Sequence, residues 1–254
     1  MLFRSPLTLA ATLDKDMAKI LVRAVGVVVP GGLTVSPAVG RDQTAVRALI
    51  RDLSQRVAYP WIVKPALEGS SKGIRARCLA DNEDEAADLL SILLADYEQP
   101  ILIEEFIVGD EVTVGLIGEA DEPETLGVMR IYPRSADKRF VYSLDMKRNW
   151  RETMAYEAPA QLSAEASAVL VRSAERAYRA LGCRDVARID FRIRDGIPHF
   201  LEANPLPGLS PEYGDLVFLA RGAGLTHADL IRRILGAALR RINRTKATTE
   251  ARPR

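Results

Sequence analysis

Near the C-terminal end of this chain, apolar and polar residues alternate over Val186 to Ile193 and again over Pro198 to Ala203, with Arg194-Asp195-Gly196 between the two runs. Alternation marks strands with one buried face, and an Asp-Gly turn between two such strands is a hairpin signal. Alternation puts Arg188 and Asp190 of Ala187-Arg188-Ile189-Asp190-Phe191 on one face. In Phe200-Leu201-Glu202-Ala203-Asn204-Pro205 it does the same for Glu202 and Asn204. Pairing the strands brings the four polar groups together. Two carboxylates and an amide oxygen are the hard donors that Mg²⁺ takes, with water or phosphate completing its shell. Arg188 beside them can neutralise charge on a phosphate or a tetrahedral oxyanion. The competing reading is an exposed sheet face carrying a salt bridge.

A length of 254 residues with 48% hydrophobic content allows two modest lobes or one large α/β domain. Lysine and arginine (35) nearly balance aspartate and glutamate (34), which argues against nucleic acid or a membrane surface as the main partner. Charged ligands must then be held locally. Cys78 and Cys183 stand in no metal-like spacing and are expected in the core. No leader peptide pattern and no bilayer-spanning apolar run is present, so a cytoplasmic protein is expected.

Asp14 to Ala24 carries Met17, Ile20, Leu21 and Ala24 at helical spacing, and a strand is expected at Val27-Val28-Val29-Pro30. Asp42 to Ser54 is a second helix, followed by a strand at Tyr59 to Pro65. The small-residue loop Glu68-Gly69-Ser70-Ser71-Lys72-Gly73 and a strand from Ile74 to Leu79 complete a hairpin. Asn82 to Leu94 reads as a helix, Ile101 to Phe106 as a strand, and Glu111 to Ile117 and Thr125 to Tyr132 as strands of a mostly antiparallel sheet. Pro133 to Pro159 is expected to be mainly loop. A helix from Ser163 to Leu181 precedes the hairpin. A last helix is expected from Thr226 to Ile242 and a frayed tail over 245–254. Its arginines Arg232, Arg233, Arg240 and Arg241 fit a solvated amphipathic helix better than a nucleic-acid arm.

Two further clusters carry chemistry. A glycine- and serine-rich hairpin tip can fold its N–H groups over a phosphate, with Lys64 supplying a point charge, although an ordinary flexible hairpin has the same composition. The Walker spacing is absent. Glu104 and Glu105 end an apolar strand, with Glu111 shortly after. Such carboxylates and exposed backbone can hold an adenine amino group and ribose hydroxyls, or can be solvated strand ends.

In chain order, Lys, Gly/Ser loop, Glu-Glu, Arg-x-Asp and Glu-x-Asn resemble the ATP-grasp superfamily, and within it the D-alanine–D-alanine ligases. The resemblance runs from Ser5-Pro6-Leu7-Thr8-Leu9-Ala10 and Leu13-Asp14-Lys15-Asp16 through Val63-Lys64-Pro65 and Glu68-Gly69-Ser70-Ser71. It continues in Gly182 to Asp190, Leu201 to Asn204 and Pro207-Gly208. It implies an α+β fold in which two lobes clamp ATP: 1–58 as the N-terminal part of the large lobe, 59–106 as the small lobe and 107–244 as the rest of the large lobe. It also implies that Lys15 and Lys64 contact the ATP phosphates, with Glu68, Gly69, Ser70 and Ser71 covering them. Glu104, Glu105, Phe106 and Ile107 are implied at the adenine, Glu111 at the ribose, and Lys147 over the γ-phosphate. Asp190, Glu202 and Asn204 would bind a pair of Mg²⁺ ions, with Mn²⁺ able to substitute. Arg188 and the Gly208 N–H would stabilise the tetrahedral intermediate, and Ser70 would position the substrate.

The activity so implied is ATP-dependent ligation of an amino-acid or peptide carboxylate to an amine through an acyl phosphate. The alternative is an ATP-binding module without turnover. The chain starts where the family's N-terminal domain would end, so three expectations stand side by side: Met1 is not the true start, a separate N-terminal-domain-like protein or a second copy is the partner, or the chain does something else with ATP. Glu212-Tyr213-Gly214 stands where the family receives the second substrate's carboxylate, and Pro205-Leu206 replaces a smaller polar pair.

Overall fold

The computed structural model describes residues 5–69, 78–135, 139–141 and 149–250, with the backbone alone over 245–250. Helices α1 (Pro6–Leu13) and α2 (Lys15–Ala24) precede β1 (Gly32–Val35), α3 (Pro37–Gly40), α4 (Gln43–Ser54) and β2 (Trp61–Pro65). Then come β3 (Leu79–Ala80), α5 (Glu83–Tyr97) and β4 (Ile101–Glu105). These four strands form an antiparallel sheet in the order β1-β4-β2-β3. A second antiparallel sheet, in the order β7-β6-β5-β8-β9, is built from β5 (Asp110–Gly118), β6 (Pro123–Pro133), β7 (Met154–Glu157), β8 (Asp185–Arg194) and β9 (Ile197–Asn204). Helix α6 (Trp150–Thr153) leads into β7 and α7 (Ala164–Ala180) into β8; α8 (Asp215–Gly222) and α9 (His227–Glu250) close the chain. Among the described residues no helix is long and apolar enough to cross a membrane.

The small sheet has its own core, in which Val46, Ile50 and Leu53 of α4 and Leu90 and Leu93 of α5 pack on Trp61, Val63, Ile101 and Ile103. On the large sheet, Val112, Val114, Ile189, Phe191 and Phe200 pack against Tyr178 and Leu170 of α7 and Val22 of α2. Its other face receives α8. Gly115 makes that approach possible, because a Cβ there would meet Leu219 at 3.0 Å and Leu216 at 3.1 Å. The β8–β9 hairpin turns through Asp195 and Gly196, both with positive φ (52° and 76°), as a two-residue primed turn requires.

Several boundaries differ from the sequence expectations. The four-stranded sheet begins at Gly32 and includes α4 in its core, so much of 1–58 packs with the small lobe. The run Val27 to Pro30 is no strand; it touches the large sheet's edge through one bond, Phe200 N–H to Val28 O at 2.9 Å, and Pro30 has no N–H with which to continue a ladder. The expected loop before Pro159 contains α6 and β7, both short. Helix α9 continues to Glu250, through residues expected to be a frayed tail. The strand expected from Ile74 falls largely outside the described residues, where only its last residue, Leu79, is seen to pair with β2. Cys78 and Cys183 are buried free thiols.

Helix α2 departs in a way that matters for the site. Its N-cap Asp14 accepts from the N–H groups of Asp16 and Met17 and starts the helix at Lys15. The buried positions are Lys15, Ala18, Lys19 and Val22, whereas Met17 and Ile20 are 44% and 50% exposed. The helix turns two lysines inward and part of its apolar stripe outward. Val22→Ala should therefore cost about 1–3 kcal/mol in chemical denaturation, while Met17→Ser and Ile20→Ser should change stability by no more than about 0.5 kcal/mol. The reverse ranking would mean that the helix faces the other way.

Candidate active site

Strands β8 and β9 pair in the register Asp190↔Glu202 and Arg188↔Asn204, and the four polar groups meet on one face because a one-residue bulge at Leu201 shifts the alternation of β9 after Phe200. Arg188 is buried and grips Asp190 with two bonds, Nε to Oδ1 at 2.9 Å and Nη2 to Oδ2 at 2.7 Å. Thr113, opposite Asp190 on β5, donates to the same Oδ1 at 2.6 Å. The other arm of Arg188 donates to Asp215 at the start of α8. This is no exposed salt bridge. Burial pushes the Asp190 carboxyl above the usual carboxylate range, with Arg188 opposing and Glu202 adding to the rise. Burial lowers the Arg188 pKa, but Asp190 and Asp215 more than offset this and hold it well above the usual value.

The small sheet supplies the opposite charge. Glu104 of β4 is buried between Lys64 of β2, Nζ to Oε1 at 2.8 Å, and Lys19 of α2, Nζ to Oε2 at 3.0 Å. Lys19 also donates to the Leu201 carbonyl at 3.1 Å, where β9 carries an extra residue opposite β8, and so joins the two sheets. Burial pushes Lys19 down to about 8 despite Glu104. Lys64 shares that carboxylate yet shifts upward, because its Coulombic and hydrogen-bonded contacts with Glu104, with Glu202 adding, outweigh its burial. Burial lowers Lys15, which Glu202 partly restores. Burial also acts against Glu104 ionisation, but the two lysines overcome it and hold the carboxyl below its ordinary range.

A cavity of about 260 Å³ between the sheets is lined by Lys15, Glu68, Gly69, Glu202, Asn204 and Leu206, among others, and so gathers many of the residues singled out from sequence. Lys15 donates to the Glu68 carbonyl, and the Glu68 carboxylate accepts from Gln99 at 3.1 Å. Ser70, Ser71 and Lys147 lie outside the described residues. A Cβ on Gly208 would meet nothing within 4 Å, while one on Gly214 would lie 2.7 Å from the Gly208 carbonyl, so the loop closes only with glycine there. Glu105 pairs with Arg194, Glu111 pairs with Arg192, and Phe106 and Ile107 are buried next to them.

The donor set suits a hard dication: two carboxylates and an amide sit on adjacent register positions. The Asn204 side-chain oxygen already accepts from Leu206 N–H at 2.9 Å and keeps a second lone pair. Sequence reasoning missed Lys19, Thr113, Arg192 and Asp215. Lys19 lies one helical turn from Lys15, a spacing that signals a shared face. Thr113 and Arg192 sit at face-matched alternation positions. Asp215 carried no local signal, since only the packing of α8 brings it to Arg188.

Comparison with known proteins decides the family. The family model "D-ala D-ala ligase C-terminus" matches residues 21–236. The chain belongs to the D-alanine–D-alanine ligase family. It is 37% identical over 188 residues, 73% of this chain and 56% of the other, to a D-alanine–D-alanine ligase of Geotalea uraniireducens. It is 35% identical over 233 residues, 91% and 68% of the two chains, to one of Methylibium petroleiphilum. Among solved structures, the VanG D-Ala:D-Ser ligase of Enterococcus faecalis superposes with a TM-score of 0.75 at 25% identity, covering 93% of this chain and 64% of that one. The D-alanine–D-alanine ligase of Bacillus anthracis complexed with ATP shares the fold, with a TM-score of 0.72 at 24% identity, covering 92% and 68%. The ATP-grasp fold expected from the motifs is thus present. The chain spans about half to two thirds of the length of the family relatives it matches.

In this member of the D-alanine–D-alanine ligase family, Glu104 is the shared counter-charge of two buried lysines. Glu104→Gln should destabilise the fold by about 3–5 kcal/mol, because it strands their charge, and Lys19→Met in the same chain should restore part of the loss. Glu104 sits below its ordinary value of 4.5 when folded, so the unfolded chain binds the extra proton, and its contribution must fade as pH drops through and below 4.5. Denaturation midpoints at pH 7 and pH 4 should therefore differ more for the wild type than for Glu104→Gln.

Proposed function

We propose that this chain is the nucleotide-binding and transfer portion of an ATP-dependent carboxylate–amine ligase, which activates an amino-acid carboxylate as an acyl phosphate that an amine then attacks. The observation that carries this reading is the meeting of two opposite half-sites: Asp190, Glu202 and Asn204 in register on the large sheet, and Lys15 and Lys64, from α2 and the small sheet, both feeling the Glu202 charge.

In this reading Lys64, kept charged by Glu104, and Lys15 bind the polyphosphate, with Gly69 and the residues after it above. Thr113 and Arg188 orient the Asp190 carboxylate, and Asp215 fixes Arg188 where it faces negative charge developing at the reacting carbon. Gly208 would offer its N–H to the same oxyanion. Mg²⁺ held by Asp190, Glu202 and Asn204 would neutralise charge on the transferring phosphate. A reaction that consumes ATP fits a cytoplasmic setting, where ATP is supplied. The exposed stripe of Leu7, Leu13, Met17 and Ile20 supports the version in which this portion works against a further domain or a second copy.

Titration of the full chain with ATP should show Mg²⁺-dependent binding, and ATP with a panel of D- and L-amino acids, D-alanine and D-serine included, should release ADP and phosphate. Asp190→Asn and Glu202→Gln should weaken the Mg²⁺ dependence by about 10–100-fold, as loss of a metal-site group does. Mg²⁺ dependence that survives both substitutions would remove these residues from the metal site, and a folded chain that binds no nucleotide would remove the whole reading.

A further inference from the structure

Arg192 has no role in this functional reading, yet it is more deeply buried than Arg188. It lies on the same face of β8 as Arg188 and Asp190, with its side chain 3% exposed. Its guanidinium is sandwiched between two aromatic rings, 4.4 Å from the Phe106 centroid and 4.9 Å from that of Phe140. Nη1 donates to the Ile107 carbonyl at 3.1 Å and Nη2 to the Phe140 carbonyl at 2.7 Å. Nε and Nη2 both reach Oε2 of Glu111, at 3.2 and 2.9 Å.

Apart from Phe140, those partners are the ones that the family resemblance implies for a nucleoside: the stretch from Glu104 to Ile107 for the base, and the Glu111 carboxylate for the ribose. A guanidinium is flat, stacks on aromatic faces and presents donors at its rim, so it matches what a purine and its sugar would offer to the same slot. We propose that Arg192 is an internal cap on the nucleoside slot, standing between Phe106 and Phe140 in the free protein and giving up that place when a nucleotide enters. This rests on the nucleotide reading above. The displaced guanidinium has somewhere to go, since the adjoining cleft of about 560 Å³ is lined by Glu111, Asp110 and Asp195 as well as by Arg130 and Arg194, and of these carboxylates Asp110 pairs with Arg130 only at 3.7 Å. The cap separates two steps that other slots combine. The polyphosphate meets the lysines without disturbing Arg192, whereas the base and ribose bind only after the stack opens.

A cap closed in nine molecules of ten raises the apparent dissociation constant about tenfold. The test uses the full chain, Arg192→Lys and Arg192→Met, with Mg-ATP and with Mg-tripolyphosphate, which has no base or ribose. Arg192→Lys keeps an ion pair with Glu111 but loses the flat fork, so it remains informative should the methionine variant fail to fold; thermal unfolding checks both. Calorimetry should show both folded variants binding Mg-ATP about tenfold more tightly than the wild type, with tripolyphosphate affinity unchanged. In stopped-flow mixing the wild-type association rate should level off at high ATP, because uncapping precedes entry, and the variants' rates should keep rising. Equal or weaker ATP binding by the variants overturns the cap and leaves the nucleotide reading standing. A parallel gain for tripolyphosphate also overturns the cap, since the effect would then lie at the polyphosphate site and not in the nucleoside slot. Folded wild type and variants that all fail to bind ATP overturn both.

Discussion

Everything between the two sheets depends on one buried carboxylate. Glu104 is enclosed by Lys19 and Lys64, and Lys19 reaches across to the carbonyl of Leu201 on the large sheet. Three charges withdrawn from water are costly to hold together, and replacing such a cluster by apolar side chains would often stabilise a fold. The fold accepts that cost at the junction of its two sheets, where an apolar plug would leave nothing to bind an anion. Because Lys19 takes part in both sheets, the distance from the lysines to Asp190 and Glu202 is set by a hydrogen-bonded link and not by the loops between lobes. Arg192 and Arg194 of β8 add two more links, to Ile107 and Glu105.

Strand β8 organises the other side by simple alternation. Arg188, Asp190 and Arg192 occupy successive positions on one face, each step about 6.6 Å along the strand. Opposite them on β5 stand Gly115, Thr113 and Glu111, and each does a different job. Gly115 admits α8, Thr113 holds the Asp190 carboxylate, and Glu111 neutralises Arg192. The order of groups along the strand thus becomes an order in space, from the Glu111–Arg192 pair through Thr113 and Asp190 to the end where Asp215 meets Arg188. A one-residue slip would send all of these groups into the apolar face packed on α7.

The legible parts of the sequence were those in which local pattern and tertiary role coincide. The β8–β9 hairpin was readable because alternation and an Asp-Gly turn act within a few residues, but the turn alone would set Glu202 opposite Ile189, and the extra residue of β9 at Leu201 is what brings Glu202 opposite Asp190. The inward face of α2 was misleading because two lysines occupy it: periodicity counts apolar residues, and here Met17 and Ile20 lie on the exposed side. Val27 to Val29 looked like a strand by composition, but pairing needs a free sheet edge with matching donors, which no local rule supplies. Asp215 and α8 were invisible for the same reason. Their position follows from Gly115, which is a hundred residues away in sequence and informative only once the sheet is built.

Charge explains why the two halves face each other. On the small-sheet side, Lys15, Lys19 and Lys64 stand against Glu104 and leave an excess of two positive charges. On the large-sheet side, Asp190, Glu202 and Asp215 stand against Arg188 and leave an excess of two negative charges. The free site is therefore balanced only as a pair, and Glu202 is the group through which each half feels the other, since it pulls Lys15 and Lys64 upward while raising Asp190. A polyanion entering with a dication replaces that mutual attraction on both sides at once: the anion answers the lysines and the dication answers the carboxylates. Either one alone would leave the opposite half with unmatched buried charge, so under the proposed function this arrangement would favour a metal–polyphosphate complex over its separate parts.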